Sequence, residues 1–163
     1  MSEIRLELVE LMNNEEHNVV VGMSHFIKTV EDVHEMMVTS VPGAKFGLAF
    51  CEASGPRLVR TTGTDEKLEA EAVRMAKLIG AGHSFVLVMQ EMYPINILPR
   101  LKDIPEIVAI FCATANPVQM IMAETKQGRA IVGVVDGGSP LGVEKKKDRE
   151  DRREFLRKIG YKV

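Results

Sequence analysis

Three apolar runs in the second half of the chain follow one another too closely for a helix to fit between them. They occupy residues 107–113, 118–123 and 130–135. A crossover between parallel strands needs about a dozen residues or more, whereas antiparallel strands can be joined by a short turn. This part of the chain therefore predicts antiparallel strands, and it argues against a doubly wound parallel sheet.

Helical patterns separate the remaining apolar runs at three places. One helix is predicted to begin at Thr29, whose hydroxyl is expected to accept a hydrogen bond from the Asp32 amide. A second is predicted to begin at Thr64 and to end at Gly80, where glycine permits a left-handed conformation. A third is predicted over residues 148–159.

Taken in order, these elements read ββαββαβ, then three strands, then a final helix. The pattern predicts an α+β fold with a mixed, largely antiparallel sheet and about three helices on one face. Residues 1–163 show no repeat and no linker between domains, so a single domain is expected.

Composition excludes several classes of protein. A net charge of -2 and the absence of tryptophan argue against nucleic-acid binding. Apolar runs are too short to cross a membrane. The two cysteines, Cys51 and Cys112, do not form a metal-binding pair and fit buried free thiols in a reducing cytoplasm. No metal site and no cofactor is predicted.

Polar, glycine-containing stretches follow four of the apolar runs. They occupy residues 22–29, 51–55, 112–117 and 135–140. Rigid strands commonly present functional groups on the loops at their ends. We therefore expect these stretches to form the walls of a single pocket.

His25 has the most distinctive setting of the four histidines. It stands between a strand and a helix start, close to Lys28 and Thr29. An imidazole there can accept a phosphoryl group on a ring nitrogen, and the cation and the helix amides would stabilise the added charge. The alternative interpretation is a histidine whose hydrogen bonds are satisfied locally.

Asp136 comes directly before Gly137 and Gly138 at the end of an apolar run. Glycine amides can form an anion-binding concavity, and an aspartate can accept a proton from a hydroxyl. A tight turn that begins with aspartate has the same sequence pattern without any function. Neither a phosphate-binding loop of the GxxxxGK[ST] type nor a protein-kinase motif set occurs, so ATP binding is not predicted.

Ser54, Thr114 and Asn116 are candidates for contacts to a nucleoside. The hydroxyl of Thr114 and the amide of Asn116 are suited to a base edge or a ribose, although an Asn-Pro pair also commonly ends a strand. Ser54 has the same two interpretations, since it lies in a segment rich in turn-forming residues.

Six strings taken together resemble the adenosine-specific kinase family of archaea and some bacteria, and they span nearly the full length. They are GMSHFIKTVEDVHE (22–35), FGLAFCEASGPRLVRTTGTD (46–65), AGHSFVL (81–87), IFCATANP (110–117), AETKQGRAIVGVVDGGSPLGVE (123–144) and LRKIGYK (156–162).

The resemblance implies a compact domain that binds adenosine and AMP rather than ADP or ATP, with a phosphorylatable histidine at His25. In this interpretation Lys28 and the Thr29 amide neutralise the phosphoryl group, Asp136 orients or deprotonates the ribose 5′-hydroxyl, and the following glycine amides hold the phosphate of AMP. The phosphoryl donor is left open.

A cytoplasmic homo-oligomer with phosphotransferase activity is expected from this interpretation. The alternatives are a non-catalytic adenosine or AMP sensor and an oligomer whose pocket only binds ligand.

Overall fold

The computed structural model describes residues 3–11 and 17–163. Its strands are β1 (Arg5–Leu11), β2 (Asn18–Ser24), β3 (Lys45–Cys51), β4 (Val59–Gly63), β5 (Ser84–Gln90), β6 (Ile107–Thr114), β7 (Val118–Glu124) and β8 (Arg129–Asp136). Its helices are α1 (Thr29–Ser40), α2 (Glu66–Ile79), α3 (Leu98–Lys102) and α4 (Lys146–Lys158), with a 3-10 turn at Pro94–Asn96.

The strands form two antiparallel sheets. The larger sheet has the order β4-β3-β5-β2-β6, and the smaller one has the order β1-β7-β8. An isolated parallel bridge between Ala81 and Arg129 joins the start of β8 to the segment before β5. The antiparallel pairing and the α+β class predicted from the short gaps are confirmed.

Helices cover both faces of the larger sheet, so the expectation that they lie on one face is wrong. Helix α2 and the smaller sheet pack on one face, while α1 and α3 pack on the other. The reason is visible in β2, where Val19, Val20 and Val21 are consecutive and all buried. Successive strand residues point to opposite faces, so an uninterrupted apolar strand needs cover on both sides.

Helix α1 starts where predicted but with a different hydrogen bond. The Thr29 hydroxyl donates to the Phe26 carbonyl oxygen at 2.7 Å and lies 2.6 Å from the Ser24 hydroxyl, instead of accepting from the Asp32 amide. Lys28 occupies the residue before the helix and provides no side-chain cap. The buried Thr29 side chain therefore fastens the helix start to the end of β2.

Helix α2 begins one residue later than expected. Asp65, not Thr64, accepts hydrogen bonds from two amides of the first turn, while the Thr64 hydroxyl donates to the Ala44 carbonyl oxygen at 2.6 Å. Gly80 ends the helix at φ 60°, as predicted. The predicted apolar face is confirmed as buried, and it comprises Leu68, Ala72, Met75, Ala76 and Ile79.

Helix α4 lies largely outside these layers. None of its residues is buried, and Phe155 is exposed over about half of its surface. Across residues 3–11 and 17–163, the structure contains no helix with both the length and the apolar character required to span a membrane.

Candidate functional site

The structure divides the four polar stretches between two ends of the larger sheet. Strands β2 and β6 are antiparallel, with Ser24 opposite Ile107 and Val19 opposite Thr114. At about 3.3 Å per residue, the two ends are about 20 Å apart within one chain. His25, Lys28, Thr29 and Ser54 lie at one end, which we call the His25 end, and Thr114, Asn116, Asp136, Gly137 and Gly138 lie at the other, the Asp136 end.

His25 is exposed in the turn between β2 and α1. Its backbone amide donates to the Glu106 carbonyl oxygen at 2.7 Å, and the preceding amide of Ser24 donates to the His83 carbonyl oxygen at 2.9 Å. These bonds extend the strand pairing of β2 to both of its neighbours. The main chain of His25 is therefore fixed, while its imidazole faces solvent.

The Lys28 ammonium group already has partners. It forms an ion pair with the Asp32 carboxylate, one helical turn away, and lies 3.8 Å from Oε1 of Glu106. The hydrogen bond to Asp32 raises the pKa of Lys28 above its ordinary value. The Thr29 amide is also engaged, since it donates to the Phe26 carbonyl oxygen at 3.0 Å. Both groups that were expected to neutralise a phosphoryl group on His25 are therefore already engaged within the protein.

The Asp136 end forms a compact polar cluster. Asn116 donates from Nδ2 to Oδ1 of Asp136 at 2.9 Å, and its amide donates to the buried hydroxyl of Thr114 at 2.9 Å. Gly137 adopts φ 64°, and its amide donates to the Pro117 carbonyl oxygen at 3.0 Å. The chain bends at Gly137 after the end of β8, and the polar groups at this end bind one another. A cleft of about 690 Å³ beside it is lined by Asn18, Glu91, Met92, Tyr93, Ala115, Asn116 and Pro117.

A larger cleft, of about 910 Å³, opens at the His25 end, and we call it the main cleft. Three separate segments form its walls. They are residues 51–59 from the end of β3 to the start of β4, residues 76–83 from the end of α2 to the start of β5, and residues 125–130 at the turn between β7 and β8, with Met23 of β2 beside them. A volume near 1,000 Å³ is within the range of small-molecule sites. His25 is not among the lining residues, but it follows Met23 by two positions.

The lining of the main cleft combines apolar and cationic groups. Pro56 and Leu58 contribute apolar surface, and Arg57 and Lys77 contribute positive charge. His83 also lines the cleft, with its backbone in the left-handed region at φ 64°. Backbone strain of this kind in a non-glycine residue clusters at functional sites. The arrangement suits a flat, partly apolar ligand that carries a polar or anionic group.

Arg129 fastens the walls of the main cleft together. Its guanidinium donates to the Leu78 carbonyl oxygen at 2.8 Å and to the Glu7 carboxylate at 2.9 Å. The turn between β7 and β8 is thereby attached to the end of α2. Arg129 therefore acts as a structural tie at the edge of the cleft.

Glu52 is a fixed hydrogen-bond acceptor in the main cleft. Its carboxylate accepts from the Leu58 amide at 2.8 Å and from Nε of Arg60 at 2.8 Å. The hydrogen bond from the Leu58 amide is the main cause that holds the pKa of Glu52 below its ordinary value of 4.5, and the interaction with Arg60 is a smaller cause in the same direction. The side chain is therefore ionised at neutral pH and available to accept a hydrogen bond from a ligand.

This lowered pKa predicts a specific acid sensitivity of the fold. A carboxylate with a depressed folded-state pKa stabilises the protein above its unfolded-state pKa, and the stabilisation is lost as pH falls. The unfolding free energy of the wild type should therefore decline below pH 4.5 more steeply than that of Glu52→Gln. Urea denaturation at a series of pH values measures this. Glu150→Gln removes the same charge from exposed α4 and should follow the wild type, whereas matching slopes for Glu52→Gln would contradict the prediction.

Sequence reasoning selected the strand ends but missed most of the cleft lining. Arg57, Lys77 and Arg129 were not selected, and His83 was not chosen as a site residue. A signal was nevertheless present, because each wall contains part of one of the strings that carry the family resemblance. Residues 46–65, 81–87 and 123–144 meet at this cleft.

Within 3–11 and 17–163, no group of three or more His, Cys, Asp or Glu side chains is arranged to hold an ion.

Comparison with known proteins identifies one family and one similar solved structure. The model of a family described as "Adenosine specific kinase" matches residues 9–162. A crystal structure of the PH1918 protein from Pyrococcus horikoshii OT3 is similar, with 44% sequence identity, a TM-score of 0.94 and coverage of 99% of each chain. No curated protein matches the chain.

Proposed function

The chain belongs to the adenosine-specific kinase family, and we propose that it binds adenosine or AMP in the main cleft and transfers a phosphoryl group through His25. The observation that carries the proposal is the convergence of three family-resembling segments on one cleft, at the same end of the sheet as His25. We further propose a cytoplasmic location, since Cys51 and Cys112 are buried free thiols.

The groups of the main cleft match the parts of a nucleoside monophosphate. The apolar surface of Pro56 and Leu58 suits a purine ring, and the ionised Glu52 suits a ribose hydroxyl or an exocyclic amine. Arg57 and Lys77 suit a single phosphate, because charge-assisted hydrogen bonds to phosphate are the strong ones.

The proposed chemical step is an exchange between His25 and the 5′-oxygen of adenosine. In one direction the P–O bond of AMP breaks, an N–P bond forms at the imidazole, and the imidazole proton passes to the 5′-oxygen. In the other direction each change is reversed. Phosphoryl transfer depends mainly on positioning and on charge stabilisation. Positioning is supplied by the fixed main chain of His25. The neighbouring Ser24 amide donates a hydrogen bond to the His83 carbonyl oxygen.

We also propose that the active form is a homo-oligomer. Residues at the Asp136 end are about 20 Å from His25 in one chain, so they reach a nucleoside in the main cleft only from a second copy. Helix α4, with no buried residue, offers a surface for such contacts. In this arrangement Asp136 and Asn116 would contact the 5′-hydroxyl and the nucleoside bound to the neighbouring chain.

Binding without transfer is the second candidate function. It is favoured by one observation, namely that His25 does not line the main cleft. In that case the protein is a sensor of adenosine or AMP, and ligand binding is its whole activity.

Isothermal calorimetry with adenosine, AMP, ADP and ATP tests the binding proposal. The wild type should bind adenosine and AMP and discriminate against the two larger nucleotides. Arg57→Asn should weaken AMP binding about tenfold and leave adenosine binding within about threefold, because it removes a partner of the phosphate only. Asparagine is chosen because Arg57 has φ 54°, which asparagine tolerates.

Arg100→Asn, on the exposed side of α3 and outside the lining of the main cleft, is the matched control and should bind both ligands as the wild type does. Equal loss of adenosine and AMP affinity in Arg57→Asn would argue that Arg57 shapes the cleft instead of contacting phosphate. Absence of adenosine and AMP binding in the wild type would overturn the proposed function.

A further inference from the structure

Glu106 is an unusual residue of the His25 end. It lies immediately before β6, it is 6% exposed, and it is the one carboxylic acid among the buried residues of the described chain. Its Oε1 atom is buried without a hydrogen-bond partner among the described residues and faces the Lys28 ammonium at 3.8 Å. A buried carboxyl group is costly unless it is protonated or paired, so this position calls for a reason.

The neighbours of Glu106 favour its protonated form. Burial raises its pKa, and a hydrogen bond with Asp32 raises it further. The pKa of Asp32 is lowered, chiefly by its hydrogen bond with Lys28. When Glu106 is protonated, an ionised Asp32 and a cationic Lys28 leave the cluster without net charge.

Glu106 contacts the segment around His25 with both its main chain and its side chain. Its carbonyl oxygen accepts the His25 amide, and its side chain meets Lys28 and Asp32 at the start of α1. Three other charged groups lie near the cluster. Glu35 on α1 acts on Lys28 through its charge, and Glu31 of α1 and Arg60 of β4 share a cavity with Lys28. One residue thus sets both the position of the histidine main chain and the charge beside it.

We propose that Glu106 is a positioning residue for the phosphoryl group on His25, acting through Lys28 and Asp32. The inference rests on the proposed phosphohistidine. While Glu106 is protonated, the cluster is neutral and the Lys28 charge offsets that of Asp32. When Glu106 ionises, the cluster gains a net negative charge and repels a phosphoryl dianion. Phosphorylation of His25 is therefore favoured on the acidic side of the Glu106 titration.

Phosphoramidate is a suitable probe, because it phosphorylates histidine directly. Its P–N bond breaks, an N–P bond forms at the imidazole, and the imidazole proton leaves with the released ammonia. Phosphohistidine formation at His25 is followed by mass spectrometry from pH 5 to pH 8 in the wild type, Glu106→Gln and Glu31→Gln. Glutamine mimics the protonated acid in shape and charge, and Glu31→Gln removes an exposed acid from the same helix.

The rate ratio of Glu106→Gln to wild type should rise with pH as Glu106 of the wild type ionises, by about threefold or more between the acidic and the alkaline end of the range. The ratio for Glu31→Gln should stay constant, which separates the effect from the titration of the probe and of the imidazole. A constant ratio for Glu106→Gln, with His25 phosphorylated in both proteins, would overturn the role of Glu106 alone. No phosphohistidine at His25 in the wild type would overturn the carrier role of His25, and the role of Glu106 with it.

A second readout reports on the cluster itself. Carbon-13 NMR of the carboxyl groups should show Glu106 titrating above its ordinary value of 4.5 in the wild type. In Asp32→Asn the carboxylate of Glu106 is the remaining partner of the Lys28 charge within the cluster, so the titration midpoint of Glu106 should fall. An unchanged midpoint would contradict the coupling on which the positioning role depends.

Discussion

A His25→Asn variant is expected to fold normally and to lose the phosphohistidine completely. The imidazole is exposed, and the hydrogen bond of His25 at this position belongs to the backbone amide, which asparagine retains. An amide side chain has no nucleophilic ring nitrogen, so it cannot accept the phosphoryl group. Adenosine affinity should stay within about threefold, because the side chain lies outside the lining of the main cleft. Mass spectrometry with tests of acid lability measures the first effect, and calorimetry measures the second.

The informative control for this variant is His83→Asn. His83 lines the main cleft at φ 64°, a conformation that asparagine accepts. The phosphate should persist in this variant while nucleoside binding weakens. The opposite pattern, with phosphate kept in His25→Asn and lost in His83→Asn, would identify His83 as the carrier and move the chemistry into the cleft.

Gly47→Ala should destabilise the fold by about 3 kcal/mol or more. Helix α2 packs directly against the backbone of β3 at this position. A Cβ atom there would lie 2.2 Å from the backbone of Leu68 and Glu69. Backbone atoms cannot rotate away as a side chain can, and the helix must shift as a whole. Because α2 carries one wall of the main cleft, weaker nucleoside binding should accompany the loss of stability.

Urea denaturation measures the effect of Gly47→Ala against Gly133→Ala, which changes a glycine of β8. Apart from its chain neighbours, no heavy atom lies within 4 Å of the position that a Cβ atom would take at Gly133. Its unfolding free energy should stay within about 1 kcal/mol of the wild type. Similar unfolding free energies for the two variants would show that α2 shifts to accommodate the added methyl group at little cost, and would contradict the predicted effect of close packing.

The sequence predicted those features that depend on local periodicity. The buried face of α2, from Leu68 to Ile79, repeats at helical spacing and can be read directly. The short gaps around β7 exclude crossover helices, and this led to the antiparallel class. Both depend on residues that are near one another in the chain.

The location of the site could not be read in the same way. Stretches that follow apolar runs were grouped because each lies at the carboxyl end of a strand. In an antiparallel sheet, the carboxyl ends of neighbouring strands lie at opposite edges, so the stretches after β2 and β6 are separated. The burial of Glu106 is equally hidden, because its contacts with Lys28 and Asp32 join residues far apart in the chain and leave no periodic signal.

The bridge between Ala81 and Arg129 has a consequence for how the cleft receives a ligand. Together with the bond from the His83 amide to the Cys51 carbonyl oxygen, it joins all three loops into one frame. Such a receptor is preorganised, so little of the association energy is spent on reshaping it. Under the proposed function, the choice between one phosphate and three is then made by a cleft whose shape exists before the nucleotide binds.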